Sequence, residues 1–126
     1  MTTKILFGDD GRLIFDTYQR TYLRGYDVDF KNTPQSVIEA ARQNLGKYDL
    51  IITDYSYEQD LNGLDVTSKI REFDSKTPIW LHSGEMDSEL ESRAIQAGAN
   101  WAMPKSGSGR KLTEILKKLE VKGGNE

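Results

Sequence analysis

Hydrophobic and polar positions along this chain follow two different periods, and segments with one period alternate with segments with the other. Short apolar runs bounded by turn residues predict strands, whereas apolar residues spaced three and four apart predict helices with one buried face. The predicted strands are 4–8, 26–30, 50–54, 77–84 and 99–103. The predicted helices are 13–24, 34–45, 63–73, 86–97 and a last one around 112–119. Five strands alternating with five helices predict an α/β domain with a parallel sheet, doubly wound so that helices cover both faces.

The third predicted strand carries the first candidate for chemistry. Residues 50–53 form an unbroken apolar or β-branched run, which is typical of a strand buried on both faces in the middle of a parallel sheet. The run is followed by one carboxylate, Asp54, which therefore lies at the carboxyl end of that strand. In open α/β sheets ligands bind in the crevice outside these ends, so Asp54 is placed where chemistry is expected.

The second predicted strand differs, because residues 26–30 alternate between apolar and polar. Such a strand is buried on one face only, and we place it at an edge of the sheet. Thr33 and Pro34 then predict a helix start, as N-cap and first helical residue. We find no internal repeat and no interdomain linker, so we expect one domain over residues 1–122 and a disordered, glycine-rich tail at 123–126.

Composition and charge narrow the classes of function. The chain has no cysteine, which excludes disulfides and thiolate metal sites. It shows neither an apolar run long enough to cross a membrane nor a signal peptide, so we expect a cytoplasmic protein without a membrane partner. The net charge is −3 and the two signs are well mixed, which argues against nucleic acid as a partner because phosphate backbones require a basic surface.

Polar side chains follow four of the five predicted strands at their carboxyl ends. They are Asp9, Asp10, Asp54, Ser83 and Lys105. Clustered carboxylates repel one another unless a cation balances them, and Mg²⁺ accepts carboxylate oxygens together with waters and phosphate oxygens. Lysine is a point charge suited to phosphate, and a serine hydroxyl donates to a phosphoryl oxygen. The set predicts a site for phosphoryl transfer onto a carboxylate.

The ordered set of motifs resembles the receiver domain of two-component response regulators, most closely the stand-alone chemotaxis-type members. The resemblance covers essentially the whole chain and rests on Asp9-Asp10, Asp54 after Leu50-Ile51-Ile52-Thr53, Gly63-Leu64, Ser83, Ala97-Gly98-Ala99 and Lys105. It implies the flavodoxin-like fold, with parallel strands in the order 2-1-3-4-5. That order places the second strand at an edge, in agreement with its alternating pattern.

The resemblance also implies a role for each residue of the set. Asp54 would be the phosphoacceptor, phosphorylated by a sensor histidine kinase or a histidine phosphotransfer protein. The implied Mg²⁺ ligands are Asp10, Asp54 and the backbone carbonyl of Ser56, with Asp9 acting mostly through water. Ser83 and Lys105 would hold the phosphoryl oxygens. Phosphorylation would then switch a protein-interaction surface for a downstream target that the sequence does not identify.

Three features depart from the family pattern. Proline precedes Lys105 instead of following it, so we expect a trans peptide bond between Lys105 and Ser106 and a different loop. The aromatic residue usual on the fifth strand aligns with Ala102, while Trp101 faces the other side unless a bulge near Pro104 brings it into place. The loop after the third strand is also slightly longer than is common.

These departures leave room for two other classes of function. A pseudo-receiver that binds partners without being phosphorylated is the alternative favoured by the changes around Lys105 and Ala102, although three carboxylates without a metal are unfavourable. A phosphohydrolase with an aspartyl-phosphate intermediate is the third class, but Asp9-Asp10-Gly11-Arg12 lacks the Asp-x-Asp spacing of such enzymes. We therefore predict a signalling phosphoacceptor that assists its own phosphorylation and dephosphorylation, and not an enzyme.

The chain contains a single histidine, His82, in the fourth predicted strand. A histidine here could act as a pH-sensitive neighbour of the site. Strand alternation points its side chain away from that of Ser83, which favours a packing or surface role.

Overall fold

The computed structural model describes residues 2–124, with side chains described as far as residue 120. Its strands are β1 (Lys4–Gly8), β2 (Asp27–Lys31), β3 (Leu50–Asp54), β4 (Ile79–Ser83) and β5 (Trp101–Pro104). Its helices are α1 (Arg12–Thr21), α2 (Pro34–Gln43), α3 (Gly63–Arg71), α4 (Ser88–Ala97) and α5 (Gly109–Gly124). The alternation of strand and helix follows the predicted one from end to end.

The strands form a single parallel sheet in the order β2-β1-β3-β4-β5, which confirms the predicted flavodoxin-like topology. β3 and β4 are buried at every position because each has a neighbouring strand on both sides and helices on both faces. β2 and β5 are the edges, and most of their residues are partly exposed. The alternating pattern of the second strand was therefore a correct indication of an edge.

Two hydrophobic layers enclose the sheet, one on each face. Alternate residues along a strand point to opposite faces, so Ile51 and Leu81 belong to one layer and Ile52 and Trp80 to the other. The first layer contains residues of α2, α3 and α4, including Val37, Val66 and Ala94. The second layer contains residues of α1 and α5, including Phe15, Tyr18, Leu112 and Leu116. The doubly wound arrangement predicted from the alternation of elements is confirmed.

Helix ends depend on capping groups, and several predicted ends shift by a few residues. Thr33 caps α2 as predicted, accepting a hydrogen bond from the N–H of Ser36. The same helix ends at Gln43, and the prediction that Leu45 extends its apolar face is wrong, because Leu45 lies beyond the helix and is 54% exposed. α4 begins later than predicted, because Asp87 is its N-cap and accepts from the N–H of Leu90.

α5 continues to Gly124, two residues beyond the predicted end of the domain at 122. The rest of the predicted tail, residues 125–126, lies outside the described residues. Within residues 2–124, no helix has the length and apolar character needed to cross a membrane.

Candidate functional site

The carboxyl ends of three neighbouring strands bring polar side chains together. Gly8 of β1 pairs with Thr53 of β3, and Asp54 pairs with His82 of β4. Asp9 follows β1 directly, so its side chain lies beside that of Asp54, and the two are 1% and 2% exposed. Two buried carboxylates at one edge of the sheet require compensation by positive charge or hydrogen bonds.

Lys105 supplies positive charge to both carboxylates. It follows β5, and its Nζ lies 3.0 Å from Asp9 Oδ2 and 3.2 Å from Asp54 Oδ1. Asp9 Oδ1 accepts a further hydrogen bond from the N–H of Gly11 at 2.8 Å. The structure thus brings three of the predicted site residues, Asp9, Asp54 and Lys105, into direct contact.

The pKa values of the two carboxylates, Asp9 and Asp54, shift in opposite directions. Burial raises the pKa of Asp54 to about 6, the charge of Asp9 adds to this effect, and Lys105 opposes it. Burial acts on Asp9 as well, but hydrogen bonds from His82 and from the N–H of Gly11 outweigh it and lower the pKa of Asp9. Burial likewise works against the charge of Lys105, yet its contacts with both carboxylates raise its pKa. Of the two carboxylates, Asp54 is therefore the one that binds a proton more readily.

Ser56 lies in the loop after β3, and Ser83 is the last residue of β4. The N–H of Ser56 donates to Asp54 Oδ1 at 3.2 Å. Ser83 ends β4 with 6% of its surface exposed, and its Oγ accepts from the N–H of Glu85 at 3.3 Å. Because that hydroxyl oxygen acts as an acceptor, its proton is available for an incoming oxygen atom.

Asp10 lies apart from the buried pair. It is exposed, and its Oδ2 accepts a hydrogen bond from the N–H of Glu58 at 2.9 Å. In the described part of the chain, the carboxylates and imidazole whose ligand atoms lie within 4.8 Å of one another belong to Asp9, Asp54 and His82. Asp10 is thus at the rim of the site, held by the loop between β3 and α3.

Tyr57 anchors that loop, a role that the sequence analysis missed. Its ring is buried, and its hydroxyl lies 2.9 Å from Thr53 Oγ1. Gly8 makes room for it, because a Cβ at Gly8 would lie 2.5 Å from the Tyr57 hydroxyl. A large aromatic side chain inside a mostly polar loop was the available signal. The anchor holds the loop so that its backbone reaches Asp54 and Asp10.

Hydrogen bonds to main-chain carbonyls hold the loop between β5 and α5. The described residues contain no cis peptide bond, so the predicted trans bond after Lys105 is confirmed. The Tyr18 hydroxyl donates to the Lys105 carbonyl at 2.8 Å, and the Ser108 hydroxyl donates to the Pro104 carbonyl at 2.6 Å. These two bonds orient the backbone from which the Lys105 side chain extends to the carboxylates.

The register of β5 decides between the two predictions for its aromatic residue. Ala102 pairs with Leu81 and is buried in the layer shared with α4. Trp101 pairs with Trp80 and packs against the opposite layer, with ring centroids 6.2 Å apart. The pairing is regular as far as Pro104, which confirms the face predicted for Trp101, and the bulge alternative is wrong.

His82 is a neighbour of the site, the alternative that strand alternation disfavoured. Its side chain is fully buried, so it has a packing role as well, and the surface alternative is wrong. Its ring lies edge-on to Phe7 and Tyr18, and its Nε2 is 3.0 Å from Asp9 Oδ2. Strand alternation correctly separates His82 from Ser83, but it does not reveal that Asp9 lies on the side to which His82 points.

A flavodoxin-like sheet with buried carboxylates and a lysine at the carboxyl ends of its strands defines a receiver-type domain. Comparison with known families gives the same result, since the response regulator receiver domain matches residues 5–117. The chain belongs to this family of two-component signalling domains.

Individual relatives agree with this assignment. A stretch of 99 residues is 30% identical to the sensor protein EvgS of Escherichia coli K12, covering 76% of this chain and 8% of that protein. The chain thus spans under a tenth of that relative's length. Among solved structures, a receiver domain protein from Clostridium thermocellum superposes with a TM-score of 0.83 at 20% identity, covering 97% of each chain. A CheY-like receiver domain protein from Methanospirillum hungatei gives 0.80 at 22% identity over 100% of each chain.

Proposed function

We propose that the chain is the phosphoacceptor module of a two-component phosphorelay, with Asp54 as the residue that is phosphorylated. The observation that carries this proposal is the placement of Asp54. Its carboxylate ends the central strand, is buried beside Asp9, and lies within reach of the Lys105 ammonium. A carboxylate with an adjacent fixed cation is arranged to accept a phosphoryl group, since phosphoryl transfer depends mainly on positioning and charge stabilisation.

A Mg²⁺ ion fits the donor set of this site. The donors are hard oxygen atoms, and two buried carboxylates, Asp9 and Asp54, share one lysine as their neighbouring cation. We assign the ligands to Asp10, Asp54 and the backbone carbonyl of Ser56, with Asp9 acting through water. When bound, the ion neutralises charge on the carboxylates and on the phosphoryl oxygens.

The transfer step is a displacement at phosphorus. A carboxylate oxygen of Asp54 attacks the phosphorus atom of a phosphohistidine; the new oxygen–phosphorus bond forms as the nitrogen–phosphorus bond breaks, and its electron pair stays on the leaving imidazole. Asp54 must be ionised for this attack, which is the case above its pKa of about 6. Lys105 then turns to the phosphoryl oxygens, and the Ser83 hydroxyl and the Ser56 N–H supply further donors.

The partner that supplies the phosphoryl group is a sensor histidine kinase or a histidine phosphotransfer protein. The similarity to a region of a sensor protein supports this class of partner. The output is a changed protein-interaction surface on a domain that extends over residues 1–122. The chain itself is a signalling phosphoacceptor that assists its own phosphorylation and dephosphorylation.

One contact favours a second candidate, a pseudo-receiver that binds partners without being phosphorylated. The Asp10 carboxylate is engaged by the N–H of Glu58, and this bond must be shared or broken before Asp10 coordinates an ion. Because a single hydrogen bond to a carboxylate contributes only about 1.5–3 kcal/mol, Mg²⁺ binding is expected to displace it.

Labelling with a small phosphodonor tests the proposal directly. Wild type incubated with phosphoramidate and Mg²⁺ should gain one phosphoryl group by intact-mass measurement, and Asp54→Asn should gain none. Asp27→Asn, a change at an exposed aspartate at the start of β2, is the matched control and should be labelled like wild type. Equal labelling of the wild type and Asp54→Asn would refute the proposal. Absence of Mg²⁺ binding by calorimetry would favour the pseudo-receiver.

A further inference from the structure

His82 makes an unusual hydrogen bond for a buried strand residue. Its side chain has no exposed surface, and its Nε2 lies 3.0 Å from Asp9 Oδ2. The same oxygen atom is 3.0 Å from Lys105 Nζ. Asp9 Oδ2 therefore has two donors, the imidazole of His82 in β4 and the ammonium of Lys105, which follows β5.

The protonation state of His82 follows from its two ring nitrogens. Nδ1 is buried and has no hydrogen-bond partner among the described residues. Nε2 lies 3.0 Å from Asp9 Oδ2. An ionised carboxylate only accepts hydrogen bonds, so a ring proton must lie on Nε2 and be donated to Asp9.

This tautomer makes His82 a donor to Asp9 and not a ligand for a metal ion. A histidine that binds a metal through one nitrogen generally donates a proton from the other to a protein acceptor. For His82 that second proton would sit on Nδ1, which has no acceptor among the described residues.

The Lys105 ammonium cannot keep its full contact with Asp9 while it binds a phosphoryl group. In the structure its ammonium lies between Asp9 and Asp54, so during transfer it must give up part of this contact. Without Lys105, Asp9 Oδ2 would be a buried anionic oxygen, and leaving such an acceptor unpaired is costly. His82 removes that cost because its N–H stays on the same oxygen atom.

We propose that His82 is a positioning residue that holds Asp9 while Lys105 moves to the phosphoryl group. This inference rests on the proposed function, because it assumes transfer to Asp54. His82 does not touch the reacting atoms. It acts through Asp9, keeping that carboxylate hydrogen-bonded and in place so that the lysine is free to leave it.

Two substitutions separate this role from packing. His82→Gln keeps an N–H donor near the position of Nε2, and His82→Leu fills the space without a donor. Trp80→Phe is the matched control, since Trp80 is equally buried, precedes His82 by two residues in the same strand and packs in the layer that contains Phe7 and Tyr18. Initial rates of phosphoramidate labelling are measured for all three variants at saturating Mg²⁺, after circular dichroism has shown that each is folded.

The expected result is a split between the variants. His82→Leu should be labelled about tenfold more slowly than wild type, which corresponds to about 1.4 kcal/mol, while His82→Gln and Trp80→Phe stay within about threefold. Equal rates for His82→Leu and His82→Gln would overturn the inference and leave the proposed function intact. A wild type that is not labelled at all would overturn both.

The imidazole spectrum gives a test that needs no variant. The chain has one histidine, so its ¹⁵N–¹H correlation spectrum contains a single imidazole pattern. A proton on Nε2 supports the inference, and it should persist when Mg²⁺ is added. A proton on Nδ1 alone would overturn it, because His82 would then have no hydrogen to donate to Asp9.

Discussion

The two halves of the candidate site are built in different ways. Asp9 and Asp54 extend from central strands, and their positions are set by the pairing of β1, β3 and β4. Lys105 extends from the edge strand β5, and its backbone is held by side-chain hydrogen bonds from Tyr18 and Ser108 to main-chain carbonyls. The acidic half is therefore fixed by the sheet itself, whereas the basic half depends on a few individual contacts.

The site residues and the residues of β5 also differ in how closely they match the family pattern. The carboxylates and the lysine match the motif set of the family, but β5 carries the small Ala102 towards α4 and turns Trp101 to the opposite layer. In this chain no aromatic ring of β5 lies on the face that Ala102 shares with α4. We infer that acceptance of the phosphoryl group and the structural change that follows it depend on different residues in this chain. Substitutions at the carboxylates and the lysine should therefore have different effects from substitutions in β5.

Loss of the basic half should have the largest effect. Under the proposed function, Lys105→Ala removes the ammonium that would stabilise the transferred phosphoryl group, and removal of one such preorganised donor costs about 10²–10³-fold in rate. The rate of phosphoramidate labelling measures this loss, and Lys111→Ala, on the exposed side of α5, is the control. Mg²⁺ affinity should not fall, because a competing cation has been removed. A Lys105→Ala variant labelled as fast as the control would show that the lysine takes no part.

Removing the charge of Asp54, in the acidic half of the site, should stabilise the fold in the absence of Mg²⁺. Because Asp54 has its pKa raised from 3.8 to about 6, the folded state binds a proton more tightly than the unfolded state, and stability is lost as pH rises through this range. Asp54→Asn should then gain up to about 3 kcal/mol in the free energy of unfolding above pH 6, and little near pH 4.

Urea unfolding at several pH values measures this difference. Asp27→Asn, at an exposed position, should show no such pH dependence, and Mg²⁺ should reduce the advantage of Asp54→Asn by stabilising the wild type. An Asp54→Asn variant less stable than wild type at pH 7 would contradict the raised pKa.

Loss of the Tyr18 hydrogen bond that holds the Lys105 backbone should have a moderate effect on stability and labelling, and it should leave the acidic half of the site unchanged. Tyr18→Phe removes the hydrogen bond to the Lys105 carbonyl, which is expected to cost about 1 kcal/mol in the free energy of unfolding and to slow labelling several-fold. Tyr22→Phe, a neighbour whose ring meets that of Tyr18, serves as the control. If Tyr18→Phe lowered Mg²⁺ affinity as strongly as labelling, the two halves would not be independent.

The smallest effect is expected at Trp101. In a Trp80→Phe background it is the single tryptophan, and it packs on the layer opposite to Ala102. Its fluorescence should change little on phosphorylation, because the regular register keeps the ring away from the Ser83 side of β4. An emission change that grows in proportion to labelling would show that Trp101 reports the phosphorylated state after all.

Most of the fold was predictable from local patterns. Period and turn residues predicted all ten elements, because burial on one or both faces leaves a direct trace in the sequence. Element ends were less predictable: α2 ends before Leu45, and α4 starts after its Asp87 cap. These ends depend on hydrogen bonds and on competition with the following loop, which hydrophobic periodicity does not record.

The local sequence pattern was sufficient to predict which residues stand at the carboxyl ends of the strands, and hence that Asp9, Asp54 and Lys105 share one edge. How these side chains are held depends on the three-dimensional fold. His82 and Asp9 are separated by 73 positions, and they meet because β1 and β4 flank β3 in a particular register. Strand alternation gives the face of each residue within its own strand, but a contact between strands also depends on their order and offset, which are set by packing across the whole domain.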